Sequence, residues 1–353
     1  MIDERFNWRI PRSWNEVPTE QLEAISKLTL DYNLMIANND RLAEPQFKLK
    51  ALLLVSGLED VVLTEYNAGT DWYYFPVSPS VLDEGKGRCA RIKSRALRWL
   101  GRKLCTLEGD RYNHYVKVPA EVIHHLTSEH LKWLDDPYQR LKAPYDFIEV
   151  GGKKMQGPSD KMTSVTYQQY TTAQNLVTRY WQIQENLRWL LENNKSEESI
   201  VQQGKSLDQV RKMFLACLFC PGSITKEIVR DGKKIEVHRE TYDYDPIQLE
   251  GWEQFDTALC DRVFPVMLQF YFSVQQYFSN IFPDLFVKRD DNDVKQQRPD
   301  FMLQEVETMA AIMKYQNFSD FQHIYDSNAV HILKVLDNMA HEAKEMKKYT
   351  SKH

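Results

Sequence analysis

The chain has 353 residues with 42% hydrophobic and 12% aromatic content, enough for one large domain or two ordinary ones, which excludes a disordered chain. Its formal net charge of −5 gives no overall reason to expect a polyanionic partner. Five cysteines, an odd number, indicate reduced thiols in a cytoplasmic setting. The N-terminus lacks a signal-peptide core, and no stretch approaches the ~18 apolar residues of a membrane span. The sequence therefore predicts a cytoplasmic protein without a membrane partner.

The first part of the chain predicts two helices followed by strands. One helix begins at Pro18-Thr19, and a Leu-rich second one covers about residues 45–58. The aromatic run Trp72-Tyr-Tyr-Phe75 predicts a strand within residues 63–77 that is ended by Pro76 and Pro79, because proline cannot donate a ladder hydrogen bond. Residues 112–118 alternate in polarity like another strand.

Residues 86–103 form a basic stretch that no acidic residue interrupts. On a helix, its arginines would follow one face: Arg88, Arg91, Arg95, Arg98 and Arg102. Such a face could contact the phosphates of nucleic acid or an acidic protein. It could equally be a solvated face whose long side chains cover apolar neighbours. The pattern leaves both interpretations open.

A strand and a long helix are predicted in the middle of the chain. Phe147-Ile-Glu-Val150 followed by Gly151-Gly152 is typical of a strand that enters a hairpin turn. Thr166 and Gln169, three residues apart, can form a capping box and predict a helix over residues 166–193. Its apolar residues recur at helical spacing and predict one buried stripe: Tyr170, Ala173, Leu176, Val177, Tyr180, Ile183, Leu187, Leu190 and Leu191.

A second central helix is predicted to begin at Ser206, because Gln209 would complete another capping box, and to end at Pro221-Gly222. Residues 194–206 are then interpreted as a polar connector. Farther along, Asp231-Gly232 predicts a hairpin over residues 228–244.

The last part of the chain predicts an aromatic helix over residues 252–282, broken or bent at Pro265, then a linker and two or three C-terminal helices. The fold class is therefore mainly α with small β hairpins (α+β), a multi-helix core with N-terminal and C-terminal helical extensions. The expected divisions are residues 1–118, a helical unit with the basic insertion; 119–286, the central helical core; and 287–353, the linker and C-terminal helices.

Motifs that could carry chemistry are few. Cys217 and Cys220 lie at the C-terminal end of an apolar helix, where the helix dipole does not favour a thiolate, so core packing is the interpretation. His124, His125 and His130 lack partners at a recognised metal-ligand spacing. Nucleotide-binding glycine loops and a paired acid and base are not found. The sequence predicts no catalytic residue, cofactor or metal, although an enzyme of unrecognised type stays an alternative.

Three stretches carry a resemblance. They are Ile10-Pro-Arg-Ser-Trp-Asn-Glu-Val17; Phe147-Ile-Glu-Val-Gly-Gly152 with Gly157-Pro-Ser-Asp160 and Val165-Thr-Tyr-Gln-Gln-Tyr170; and Met213-Phe-Leu-Ala-Cys-Leu-Phe-Cys-Pro221. Together they resemble proteins of phage and prophage tail gene clusters of the tail assembly chaperone-like type. The basic block within residues 59–118 and the C-terminal helices depart from the simplest pattern of that family.

The resemblance implies a non-enzymatic phage or prophage tail assembly or structural protein that binds other phage tail proteins, in the host cytoplasm or as part of the virion. For the contact surface we expect the aromatic helix, because it holds more large apolar residues than one buried stripe needs: Phe270, Phe272 and Tyr277. The alternative is a nucleic-acid-binding or virion structural module that uses the arginines of residues 86–103.

Overall fold

A computed structural model of the protein describes residues 11–37, 43–55, 65–67, 72–77, 114–119, 127–128, 131–135, 138–221, 225–230, 233–238, 251–286, 301–318 and 320–350. The chain divides into two compact units, Met1–Gln139 and Arg140–His353. In the described residues, helices predominate and strands form small antiparallel units. This confirms the fold class predicted from the sequence. The three-part division at residues 118 and 286 stays a prediction.

The first unit contains two helices and a small sheet. Helices α1 (Thr19–Ala37) and α2 (Ala43–Val55) pack against each other. Strands β1 (Glu65–Asn67), β2 (Trp72–Val77) and β3 (His114–Pro119) pair in that order, all antiparallel. Strand β2 includes Pro76 and ends at Val77, so the predicted end at Pro76 and Pro79 is correct to within one residue of Pro76. Since β1 pairs with β2 only as far as Tyr74, no partner on that side needs the hydrogen bond that Pro76 cannot donate.

The second unit contains the predicted hairpins. Strands β4 (Phe147–Val150) and β5 (Lys153–Gln156) are joined by Gly151 and Gly152, whose φ values of 55° and 76° are those that a tight hairpin turn favours. The short β6 (Cys220–Pro221) pairs with β5. Strands β7 (Thr225–Arg230) and β8 (Lys233–His238) form a separate antiparallel pair in which Arg230 pairs with Lys233, a few residues earlier than the predicted range 228–244. The predicted turn residues 231 and 232 lie outside the described residues.

Two long antiparallel helices form the centre of this unit, α3 (Tyr167–Glu192) and α4 (Glu197–Leu218). The capping box is confirmed, since Gln169 N–H donates to the Thr166 hydroxyl and Thr166 N–H donates to the Gln169 side chain. The predicted start of the second helix at Ser206 is wrong. The Ser206 hydroxyl donates to the Gln202 carbonyl inside α4 instead of capping a helix.

The aromatic helix α5 (Thr257–Ile281) is capped by Asp256 and continues through Pro265, so the expected break is absent from it. Two helices, α3 and α4, pack against α5. Phe264 packs against Tyr180 of α3 and Phe214 of α4, with ring centroids 5.0 and 5.5 Å away. Packing between two helices explains why α5 buries more large apolar residues than a single stripe would hold.

Three C-terminal helices complete the unit: α6 (Phe301–Gln316), α7 (Phe321–Asp326) and α8 (Ala329–Thr350). The start of α8 joins the start of α3 through backbone hydrogen bonds from Tyr167 N–H to the Ser327 carbonyl and from Ala329 N–H to the Val165 carbonyl. The side chains of Ile332, Leu333 and Val335 add to the same core.

Candidate protein-interaction surface

The end of the α3–α4 hairpin carries no buried side chain. The last buried residue of α3 is Ile183 and the first buried residue of α4 is Val210. Residues 184–209 between them, here called the arm, are all at least partly exposed. The α3 part of the arm is about 14 Å long and the α4 part about 20 Å long, at 1.5 Å per residue. The hairpin therefore extends past the core that holds its base.

The turn of the arm is well defined by hydrogen bonds. Asn194 has a φ of 47°, the left-handed conformation that ends many helices. Lys195 N–H donates to the Leu190 carbonyl at 3.0 Å, and Asn194 N–H donates to the Leu191 carbonyl at 3.2 Å. This Schellman pattern satisfies carbonyls at the end of α3, and Ser196 is the N-cap residue that precedes α4.

Three large apolar side chains next to this turn face solvent. Trp189, Leu191 and Val201 are 54%, 58% and 50% exposed, and we call them the arm tip. Each lies within about 8 Å of the turn, measured along its own helix. The Lys195 ammonium lies 5.2 Å from the Trp189 ring, a cation–π contact that leaves half of the indole in water. Tryptophan is the residue type most enriched at the energetic centres of protein interfaces.

The structure gives different places to the aromatic residues that the sequence predicted to bind a partner. Phe270 is fully buried, so that prediction is wrong for this side chain: its ring fills the core on the inner side of α5. Phe272 is 42% exposed, with its ring 6.5 Å from that of Trp181. Tyr277 is partly exposed, and the Lys161 ammonium lies 5.0 Å from its ring. These three side chains do not form one exposed surface.

The basic stretch lies outside the described residues. Its five predicted contact residues are Arg88, Arg91, Arg95, Arg98 and Arg102, and their role stays a prediction. The same holds for the histidines at positions 124, 125 and 130.

The Cys217–Cys220 pair is part of the core, as its position on an apolar helix predicted. Both thiols are fully buried. The Gln169 amide donates to the Cys217 carbonyl at 3.0 Å and to the Cys220 sulfur at 3.2 Å. Burial raises the pKa of Cys220 to about 12, and burial likewise raises that of Cys260 to about 12. Both side chains therefore remain thiols at neutral pH, which does not suit a nucleophile.

One cluster of charged side chains joins the end of α5 to α8. The Asp284 carboxylate contacts the Lys344 ammonium at 2.8 Å and the His341 ring Nδ1 at 2.7 Å. Asp337 accepts backbone hydrogen bonds from Asp284 and Leu285, both at 2.9 Å. The hydrogen bond from Lys344, and then that from His341, lowers the pKa of Asp284. This geometry fits a structural clamp, because both Asp284 oxygens and one Asp337 oxygen bond to groups of the chain itself.

The described ranges contain no group of three or more His, Cys, Asp or Glu side chains placed to hold a metal ion. No helix within them has the length and apolar character that crossing a membrane requires.

No family model, curated protein or solved structure matches this chain. The arm tip is therefore the candidate site on structural grounds alone. The sequence missed it because Leu191 continues the apolar stripe of α3 and was expected to be buried with it. Val201 lies in residues 194–206, a segment whose polar composition predicts a connector and not a helix. The adjacent pair Ile200-Val201 was the one apolar signal there.

Proposed function

We propose that this chain is a non-enzymatic assembly protein of a phage or prophage tail cluster, and that it binds another tail protein through the arm tip. The chain acts in the cytoplasm of the bacterial host during assembly, whether or not it later remains in the particle.

One observation carries the binding part of this proposal. Trp189 and Leu191 are more than half exposed on an arm in which no residue is fully buried. Covering such side chains with a partner is favourable by about 25 cal/mol for each Å² of apolar surface removed from water. The helices and turn that present them are ordered by hydrogen bonds, so little conformational entropy is lost when a partner binds.

The tail-cluster part of the proposal has a different support. It rests on the resemblance carried by the entry motif at residues 10–17, the segment 147–170 and the helix end at residues 213–221. Two of these stretches form the base of the arm. The first turn of α3 lies in one, and the last turns of α4 lie in the other. The resemblance thus falls on the elements that hold the arm in place.

The test is a pull-down of the tagged full chain from cells that express the whole native gene cluster, with the recovered proteins identified by mass spectrometry. We expect a tail protein to be recovered with the wild-type chain. The variant Trp189→Gln/Leu191→Gln should reduce its recovery at least tenfold, because a tryptophan at an interface centre contributes about 2 kcal/mol or more.

A matched control removes exposed apolar surface elsewhere in the same unit. Val306 and Met346 are 53% and 66% exposed on α6 and α8, and Val306→Gln/Met346→Gln should leave recovery unchanged. If the two double variants lost recovery of the tail protein equally, the arm tip would bind the tail protein no more than the control surface does. Recovery of no phage-like protein by the wild-type chain would contradict the tail-cluster assignment.

A further inference from the structure

We infer that the outer face of α4 binds a second copy of this chain, as an antiparallel helix pair with two-fold symmetry centred on Val201. Three side chains form this face: Glu197, Val201 and Lys205. They follow one another at intervals of four residues, so they lie in one row along the helix. All three are exposed, and Val201 is the apolar residue at the middle of the row.

The row is complementary to itself. Glu197 is four residues before Val201 and Lys205 is four residues after it, so each charge is about 6 Å from the centre. When a second α4 lies antiparallel with its Val201 opposite the first, each Glu197 faces the Lys205 of the other copy. A two-fold interface requires this reciprocity, in which a residue and its contact exchange places between the copies.

The charges of this row are free to make such contacts. Some other charges on these two helices are paired within the chain: Arg188 with Glu192, and Lys212 with Asp208, each at 2.8 Å. Among the residues that the structure describes, Glu197 and Lys205 have no ion-pair partner. The negative charge of Glu197 also interacts favourably with the N-terminal end of the α4 helix dipole. The variant Glu198→Lys separates that effect from binding.

The contact should be weak on its own. One helix face on another buries less surface than a stable dimer interface does, so we expect a dissociation constant in the micromolar range or weaker. The inference does not rest on the proposed function: the two share Val201, but the tail-protein test changes Trp189 and Leu191 and leaves the α4 row intact. Dimer formation and recovery of a tail protein can therefore fail independently.

Sedimentation of the purified full chain over a range of concentrations tests the inference. Glu197→Lys and Lys205→Glu each place like charges opposite one another twice in the dimer. Each single variant should weaken dimer formation about tenfold, and high salt should weaken the wild-type dimer. The double variant Glu197→Lys/Lys205→Glu should dimerise like the wild type, because both pairs are restored with the signs exchanged.

Mixing the two single variants is the sharpest form of the test. In a heterodimer, Glu197 of one variant faces Lys205 of the other, and Lys at position 197 faces Glu at position 205. Both pairs are then attractive, so the mixture should form dimers at concentrations where neither variant does alone. A parallel pair of the two variants would also attract, but the wild-type chain would then place Glu197 on Glu197 and Lys205 on Lys205 and would dimerise no better than the single variants. Only the antiparallel pair predicts both the rescue in the mixture and a wild-type dimer that is stronger than that of either single variant.

Two further variants complete the design. Val201→Lys places two like charges at the symmetry axis and should abolish the dimer, while the half-exposed position should leave the fold intact. Glu198→Lys matches Glu197→Lys in charge and in its effect on the helix end, but it lies opposite Gly204 in the proposed pairing, so it should weaken the dimer less. A wild-type chain that stays monomeric up to millimolar concentration, or a mixture without rescue, would overturn the inference.

Discussion

Gly157 occupies a position at which a side chain has no room. A Cβ atom there would lie 2.5 Å from the Tyr145 carbonyl oxygen and 2.8 Å from a ring carbon of Phe219. The residue cannot easily move away, because its N–H donates to the Asp146 carbonyl at 2.9 Å. Gly204, in the exposed arm, is the opposite case, since a Cβ added there would meet no atom within 4 Å.

These two glycines should respond to alanine with opposite signs. Gly157→Ala should lower the free energy of unfolding by about 1–3 kcal/mol, because either the backbone or the Phe219 ring must shift. Gly204→Ala should raise it by about 0.4–1 kcal/mol, because alanine restricts the unfolded chain and favours the helix. Urea unfolding measures both. Changes of equal sign and size would contradict the packing described around Gly157.

Gln169 shows what can and cannot be read from a residue in a sequence. Its place three residues after Thr166 predicted the capping box, because that motif depends only on local spacing. The amide nitrogen of the same side chain donates to Cys217 and Cys220, which are about fifty residues away. No local pattern encodes that contact. The tertiary structure alone makes Gln169 a link between the start of α3 and the end of α4.

At the scale of elements, α8 is held to the end of α5 by the clamp of Asp284 and Asp337. Since the pKa of Asp284 is lowered in the fold, its charged form stabilises the folded state above the ordinary carboxyl pKa. That contribution is lost as the pH falls through the lowered pKa. The clamp should therefore be present at neutral pH and weaken in acid.

Removing the lysine of the clamp should expose this pH dependence. Lys344→Ala should lower the urea midpoint at about pH 6, and the difference from wild type should shrink as the pH is lowered towards about 3, because protonated Asp284 no longer attracts Lys344. Lys334→Ala, at an exposed lysine on the same helix, is the control and should show no such trend. A difference that stays constant with pH would show that Lys344 contributes through packing only.

The helices were easier to predict than their ends. Periodic apolar residues predicted α3, α5 and α8 because burial of one face depends on spacing alone. The start of α4 was missed by nine residues, since the Ser206–Gln209 pair has the spacing of a capping box inside a helix. Residues 194–206 were interpreted as a connector because they are polar. A polar helix that extends past the core has the same composition.

At the scale of the whole molecule, the solvent exposure of apolar side chains could not be predicted from the sequence. Leu191 and Ile183 belong to the same apolar stripe, yet one is 58% exposed and the other is buried. The difference depends on where α5 and the C-terminal helices stop covering α3, and that is set by the tertiary fold. For the same reason, aromatic content alone wrongly favoured Phe270 as a contact residue, although the arm tip offers the larger apolar exposure.

The most direct test of the proposed function is to count complete tails by electron microscopy after the native gene cluster is expressed without this gene. Tails should be lost, and the wild-type chain or Val306→Gln/Met346→Gln supplied in trans should restore them. Trp189→Gln/Leu191→Gln should not restore them, although the variant should fold, because both side chains are more than half exposed. Normal tail numbers without the gene, or full restoration by the arm-tip variant, would contradict the account.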